Sequence, residues 1–221
     1  NFLDKENYKF IKKNFPKINE KDLVNFKLKK NNLKYSISSK DKKYLDILEL
    51  NPNIKIIHKA FFSKKFFNFF FDYLKKFFYQ ARKNDKIFLK KLKKGINLSY
   101  NSKNNSKTHI KRQIEFSYIF NNGKIVPHTD SRYKLLSLML YFPDYKIGSK
   151  FYSKEKNAGT VFWNSKKRNL NNIHLDKPLK EKNFTKKNEK LTKIPFEGFH
   201  LYGFIRNDLS WHSVEKVNVN K

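Results

Sequence analysis

Three side chains in this sequence have the types and spacing to hold a metal ion. His128 and Asp130 stand one residue apart in "VPHTDS". A strand alternates its side chains, so Val126, His128 and Asp130 point one way, and Pro127 and Thr129 the other. The third is His212 in "LSWHSVE", which shares a strand face with Ser210 and Val214. Two imidazoles and one carboxylate on one side of an ion form the donor set of non-haem Fe(II) centres that activate oxygen. Imidazole suits Fe(II), and a single carboxylate keeps the net charge low. Three protein ligands also leave room for a bidentate 2-oxo acid and dioxygen. Taken singly, each residue has a plainer reading: a hydrogen-bonded strand histidine, a turn-capping aspartate, an unrelated second histidine. Their joint occurrence points to the metal. His58, His109, His174 and His200 are read as structural or surface residues.

The elements that must position these groups are legible in the hydrophobic pattern. From Lys111 onward the residues alternate. "RQIEFSYIF" places Ile114, Phe116, Tyr118 and Phe120 on one strand face, and "NNG" follows with the positive φ that a hairpin turn needs. "KIVPHTD", "KLLSLMLYF", "GTVFW", "EGFHLYGFI" and "LSWHSVEKVNV" read as further antiparallel strands, with "RND" at 206–208 as a tight connection. Many short strands bounded by turns predict a jelly-roll or barrel, in which the last strand can return beside the one carrying His128. Between Asn164 and Phe196 the alternation lapses into a polar stretch with ten Lys or Arg against three Asp or Glu. Its low complexity predicts disorder, with a substrate-covering lid as the alternative.

Residues 1–110 read as mainly helical support. Asp4 is placed to cap a first helix that has Tyr8, Ile11 and Phe15 on one face and stops at Pro16. "NEKDLVNF" opens a second helix on Asn19, and "KKYLDILELNPN" a short helix or extended piece ending before Pro52. The strongest pattern, "KAFFSKKFFNFFFDYLKKFFYQAR", sets Phe62, Phe66, Phe69, Phe70, Tyr73 and Phe77 in one stripe. A membrane-surface helix has the same look; packing of the stripe into the core is the expectation. At 221 residues the whole chain is read as one α+β domain, a double-stranded β-helix (jelly-roll) core at 111–221 with helices packed on its sheet.

The order of "HTD" and a distal "SWHSV", set in these strands after a "GTVFW"-like one, resembles the Fe(II)- and 2-oxoglutarate-dependent oxygenases, and among them the prolyl-4-hydroxylase-like group. The opening "NFLDKENYKFIKKNFP" is similar to the N-terminal helix of its small bacterial members. The resemblance covers most of the chain. It implies that His128, Asp130 and His212 ligate Fe(II), and that the chain couples decarboxylation of 2-oxoglutarate by O2 to hydroxylation of an unactivated C–H bond, releasing succinate and CO2. It implies Tyr118, on the strand before His128, as a hydrogen-bond partner of the co-substrate. A basic residue some ten positions after the distal histidine would pair with the far carboxylate. Lys221, nine residues on, fits better than Lys216, the alternative being an Arg or Lys beyond it. Arg132 is placed to meet an anionic substrate at the mouth of the site. The implied substrate is a small molecule or a peptidyl proline.

Composition bounds the alternatives. With no cysteine there is no disulfide, thiolate site or cysteine nucleophile. The net charge of +31 invites a nucleic-acid reading. Only five of the fifty basic residues are arginine, however, and base readout favours arginine. Lys, Asn, Ile and Phe in excess are what AT-rich codons supply, so no specific nucleic-acid partner is expected. A basic nucleic-acid-binding module or a non-catalytic jelly-roll binding protein is the alternative function. A cupin-type enzyme would carry an HxH pair that "PHTD" lacks, and a zinc hydrolase an HExxH helix. The chain begins at Asn1 and reads as trimmed at both ends. It has no stretch of eighteen apolar residues and no leader-like segment, so a soluble cytoplasmic protein without membrane attachment is expected.

Overall fold

The computed structural model describes residues 4–16, 34–86, 89–90, 96–97, 108–120, 122–143, 158–169, 175, 178–198 and 200–217. Among them are five helices, α1 (Lys5–Asn14), α2 (Lys42–Leu50), α3 (Pro52–Phe61), α4 (Lys64–Ala81) and α5 (Pro178–Lys187). The strands are β1 (Lys34–Ser38), β2 (Ile96–Asn97), β3 (Thr108–His109), β4 (Glu115–Ile119), β5 (Ile125–His128), β6 (Leu136–Leu140), β7 (Gly159–Asn164), β8 (Glu189–Pro195), β9 (Leu201–Ile205) and β10 (His212–Val214). The architecture is α+β. The sheets that carry the site are antiparallel, and the short β2–β3 pair is parallel. The helix expected to open on Asn19 lies outside the described residues, as do His174 and Lys221. No helix among the described residues is long and apolar enough to cross a membrane.

The chain divides into two compact units, residues 37–116 and residues 1–36 with 117–221. In the first, Asn51 separates two helices: its side chain accepts from the amides of Asn53 and Ile54, both at 3.2 Å, and Pro52 takes the first turn, where no amide is needed. The core of this unit holds Tyr44, Leu48, Ile54 and Phe78. His58 has a structural place there, bonded through Nδ1 to the Tyr44 hydroxyl at 2.9 Å and stacked on Phe62.

The long aromatic pattern differs from expectation in two ways. It is broken at Ser63, whose hydroxyl accepts from the Phe66 amide at 3.0 Å and starts α4 afresh. Of the expected stripe Phe62, Phe66 and Phe70 are half-buried, as are Phe67, Phe71 and Leu74, whereas Phe69, Tyr73 and Phe77 are exposed and Phe78 is the fully buried residue. Aromatics occupy both sides of this helix, so periodicity alone does not choose between them.

In the second unit α1 starts as expected, with Asp4 accepting from the Asn7 amide at 2.7 Å. Tyr8 stacks on Phe142, and Phe15 packs on the same ring. The turn after β4 forms with Asn122 at φ 65°, but it is no hairpin. β4 pairs with β1, and the turn is tied instead to Val217, with Asn122 N–H donating to its carbonyl at 2.7 Å.

The remaining six strands pair in a nested order: β5 with β10, β6 with β9, β7 with β8. β10 also pairs with β7, giving a four-stranded sheet β5-β10-β7-β8 beside the two-stranded β6-β9; neither closes into a barrel. The four-stranded sheet is covered on both faces over most of β5, β10 and β7. Val161 and Trp163 turn outward, where α5 covers them by seating Phe184 against Trp163 and Trp211. The polar stretch from Asn164 to Phe196 is thus ordered over 178–195 as a helix and an edge strand rather than disordered. One buried phenylalanine anchors the helix, and the other described side chains of α5 are exposed or half-exposed, which explains the polar composition.

Two substitutions on one helix separate the buried face from the exposed one. Phe78→Ala is expected to lower unfolding free energy by about 3–5 kcal/mol, and Phe69→Ala by no more than about 0.5 kcal/mol, measured by urea unfolding.

Candidate metal centre

β5 and β10 lie side by side with His212 opposite His128 in register, so their rings meet at 4.3 Å between centroids. The next pair is Val214 opposite Ile125, which gives β5 one more residue than β10 between the two pairs. Such a bulge re-aims the side chains beside it. Both imidazoles are buried, and each is fixed by a carbonyl two residues earlier. His128 Nδ1 bonds the Val126 oxygen at 2.9 Å and His212 Nδ1 the Ser210 oxygen at 3.0 Å. A carbonyl only accepts, so Nδ1 donates in both rings, which leaves Nε2 as the ring atom to ligate a metal. Phe204 and Phe162 pack against the His212 ring.

Asp130 follows β5 directly. One ligand atom from each of His128, Asp130 and His212 can be chosen so that all three lie within 4.8 Å of one another, and all three residues are buried. The carboxylate is held at both oxygens, Oδ1 by the Lys134 ammonium at 2.7 Å and Oδ2 by the Ser137 hydroxyl at 2.5 Å. Burial works to raise its pKa, but Lys134, Ser137 and the His212 imidazole outweigh it and hold the group below the ordinary carboxylate range. Each carboxylate oxygen has two acceptor sites, so these contacts leave capacity for an ion. The backbone here is clamped as well. Arg206, 3% exposed, donates from Nε to the Asp130 carbonyl at 3.0 Å, from Nη1 to Asp208 at 2.6 Å and from Nη2 to the Asn169 carbonyl at 3.3 Å.

The two sheets face each other across this group. Phe162 pairs with His212, so Thr160 and Phe162 share its face of the larger sheet. Across from them β6 presents Ser137 and Met139, with Tyr141 just past its end, and β9 presents Tyr202 and Phe204 opposite Met139 and Ser137. The Tyr141 and Thr160 hydroxyls meet at 2.6 Å, and burial pushes the Tyr141 phenol up to about 12. The inter-sheet space is therefore apolar around the histidines and carries hydroxyls further along.

Of the residues singled out from sequence, the structure gathers His128, Asp130 and His212. Tyr118 donates its hydroxyl to the Pro16 carbonyl and packs against Phe15 and Tyr35, in surroundings that raise its pKa by burial. Arg132 lies exposed over the Tyr133 ring, its Nη2 bonded to that hydroxyl at 3.0 Å. Sequence reasoning missed Lys134, Ser137, Arg206, Tyr141 and Thr160. Ser137 and Tyr141 did leave a signal: both are polar and both fall on one alternation of the otherwise apolar β6. Arg206 left little signal, because only Asp208 is near it in the chain, and the Asp130 and Asn169 carbonyls it also reaches are remote. Comparison of the chain with protein-family models, with curated proteins and with solved structures returns no match.

Two imidazoles oriented through Nδ1 and one oriented carboxylate fit a divalent transition ion such as Fe(II). If Ser137 orients a ligand carboxylate, Ser137→Ala should weaken Co(II) binding by roughly 10- to 100-fold, read from the visible absorption of the bound ion, with little change in fold by circular dichroism.

Proposed function

We propose that the chain is an Fe(II)- and 2-oxoglutarate-dependent dioxygenase that hydroxylates an unactivated C–H bond of a small molecule or a prolyl residue. The observation that carries the reading is the buried convergence of His128, Asp130 and His212 from strands that are the first and last of a nested set. Nesting of first with last, second with fifth and third with fourth is the order a folded-over double-stranded β-helix requires, and it supports the jelly-roll reading of the six strands.

In this reading His128, Asp130 and His212 hold the iron. When bound, iron with 2-oxoglutarate and O2 supplies the oxidising chemistry, in which one oxygen atom enters succinate as CO2 leaves and the other enters the C–H bond. The protein orients and shields. Val126 and Ser210 fix the imidazoles, and Ser137 fixes the carboxylate. Phe162 and Phe204 keep water from the His212 side of the site. The Tyr141–Thr160 hydroxyl pair, on the same inter-sheet face, spends one proton between its members and has the other to offer a co-substrate carboxylate. The pair takes the part first assigned to Tyr118, whose hydroxyl is engaged by Pro16. The basic partner of the far carboxylate stays assigned to Lys221, which lies outside the described residues.

Anaerobic titration of the full chain with Fe(II) and 2-oxoglutarate is expected to give a weak visible charge-transfer band that His128→Ala abolishes. Asp130→Ala should eliminate succinate formation while circular dichroism stays native. Turnover retained in Asp130→Ala would refute the ligand assignment.

A further inference from the structure

The ion pair between Lys134 and Asp130 places a mobile cation directly on a carboxylate assigned to the metal. Lys134 is 54% exposed at its side chain while Asp130 is 11% exposed, so the ammonium reaches in from the surface along a flexible stem. Its backbone closes the turn 131–134, with Lys134 N–H on the Ser131 carbonyl at 2.9 Å. The same turn carries Arg132 and Tyr133, both exposed and stacked on each other. Asp208, joined to Asp130 through Arg206, is already engaged by Arg168 and Arg206. The turn beside the metal group thus carries two cations, Arg132 and Lys134, of which Lys134 is paired with Asp130.

Resting on the metal reading above, we propose that Lys134 exchanges partners on metal binding and becomes, with Arg132, the receptor for an anionic group, a carboxylate or phosphate, on the primary substrate. In the metal-free chain the ammonium answers the charge of Asp130. A divalent ion takes over that charge and exceeds it, so Lys134 changes from counterion to like-charged neighbour of the ion, and its hydrogen bond to Oδ1 weakens. Half-exposure and a four-carbon stem let the ammonium turn toward the rim without moving the backbone. 2-Oxoglutarate brings its own carboxylates to the iron and the deeper donors, which leaves the rim to the substrate. Metal loading therefore creates the anion subsite, and an uncharged substrate would forgo it.

Sulfate serves as the anion probe. It is titrated into the full chain loaded with Co(II) and 2-oxoglutarate, followed by the Co(II) absorption band and tryptophan fluorescence, in wild type, Lys134→Met and Lys134→Arg. The expectation is sulfate affinity weaker by about 10-fold in Lys134→Met and retained in Lys134→Arg, with 2-oxoglutarate affinity unchanged. The metal-free chain should show no such dependence on residue 134. Equal sulfate affinity in wild type and Lys134→Met, or the same dependence without metal, overturns the exchange. Weakened 2-oxoglutarate with unchanged sulfate assigns the ammonium to the co-substrate and overturns the substrate role. Failure of wild type to bind Co(II) removes the metal reading itself, a different result from Co(II) binding without sulfate binding.

Discussion

The pairing of β10 with β5 is the constraint on which the site rests. His212 follows His128 by more than eighty residues, and nothing local brings them together. The ladder does so by setting the two residues opposite each other, with the β5–β10–β7 register passing the same alignment on to Phe162. A slip of one residue in either strand would turn a histidine to the other face of the sheet, where Val161, Trp163 and Trp211 pack under α5. Burial on both faces makes such a slip costly, so the core that holds the sheet also specifies the geometry of the metal group.

Around that pairing, polar groups are placed so that few are left to chance. Each imidazole spends its Nδ1 proton on a nearby carbonyl, and Arg206 ties the Asp130 backbone to Asp208 and Asn169. A guanidinium this buried is tolerable only because its donors find acceptors; removing one partner would strand a charge away from water. The Asp130 carboxylate is the exception to this rigidity. It is held by the Ser137 hydroxyl from within the fold and by the Lys134 ammonium, whose side chain is half-exposed.

Much of this was legible in the sequence where the signal is local. The HxD spacing, the alternation of β5, β6, β7, β9 and β10 and the cap at Asp4 follow from period and residue type, and the structure has these elements. The legible part ended where two arrangements satisfy the same pattern. α4 has aromatics on both sides, and only tertiary packing chose Phe78 over Phe77. Asn122 supplies the positive φ of a turn, but whether the flanking strands then pair depends on partners elsewhere, here β1 and β10. The polar run before Phe196 concealed a helix and a strand, because one phenylalanine and a ladder along β7 suffice to order them. Ser137 was readable as a polar residue in an apolar strand; its target was not, since Asp130 lies on a separate element.

The central claim is that one ion is bound by residues 128, 130 and 212 together. The most direct measurement is the X-ray absorption spectrum of the full chain loaded without oxygen with one equivalent of Fe(II). The account predicts the multiple-scattering signature of two imidazoles over a shell of oxygen donors. A spectrum of a hydrated ion, or one with no imidazole contribution, would contradict it.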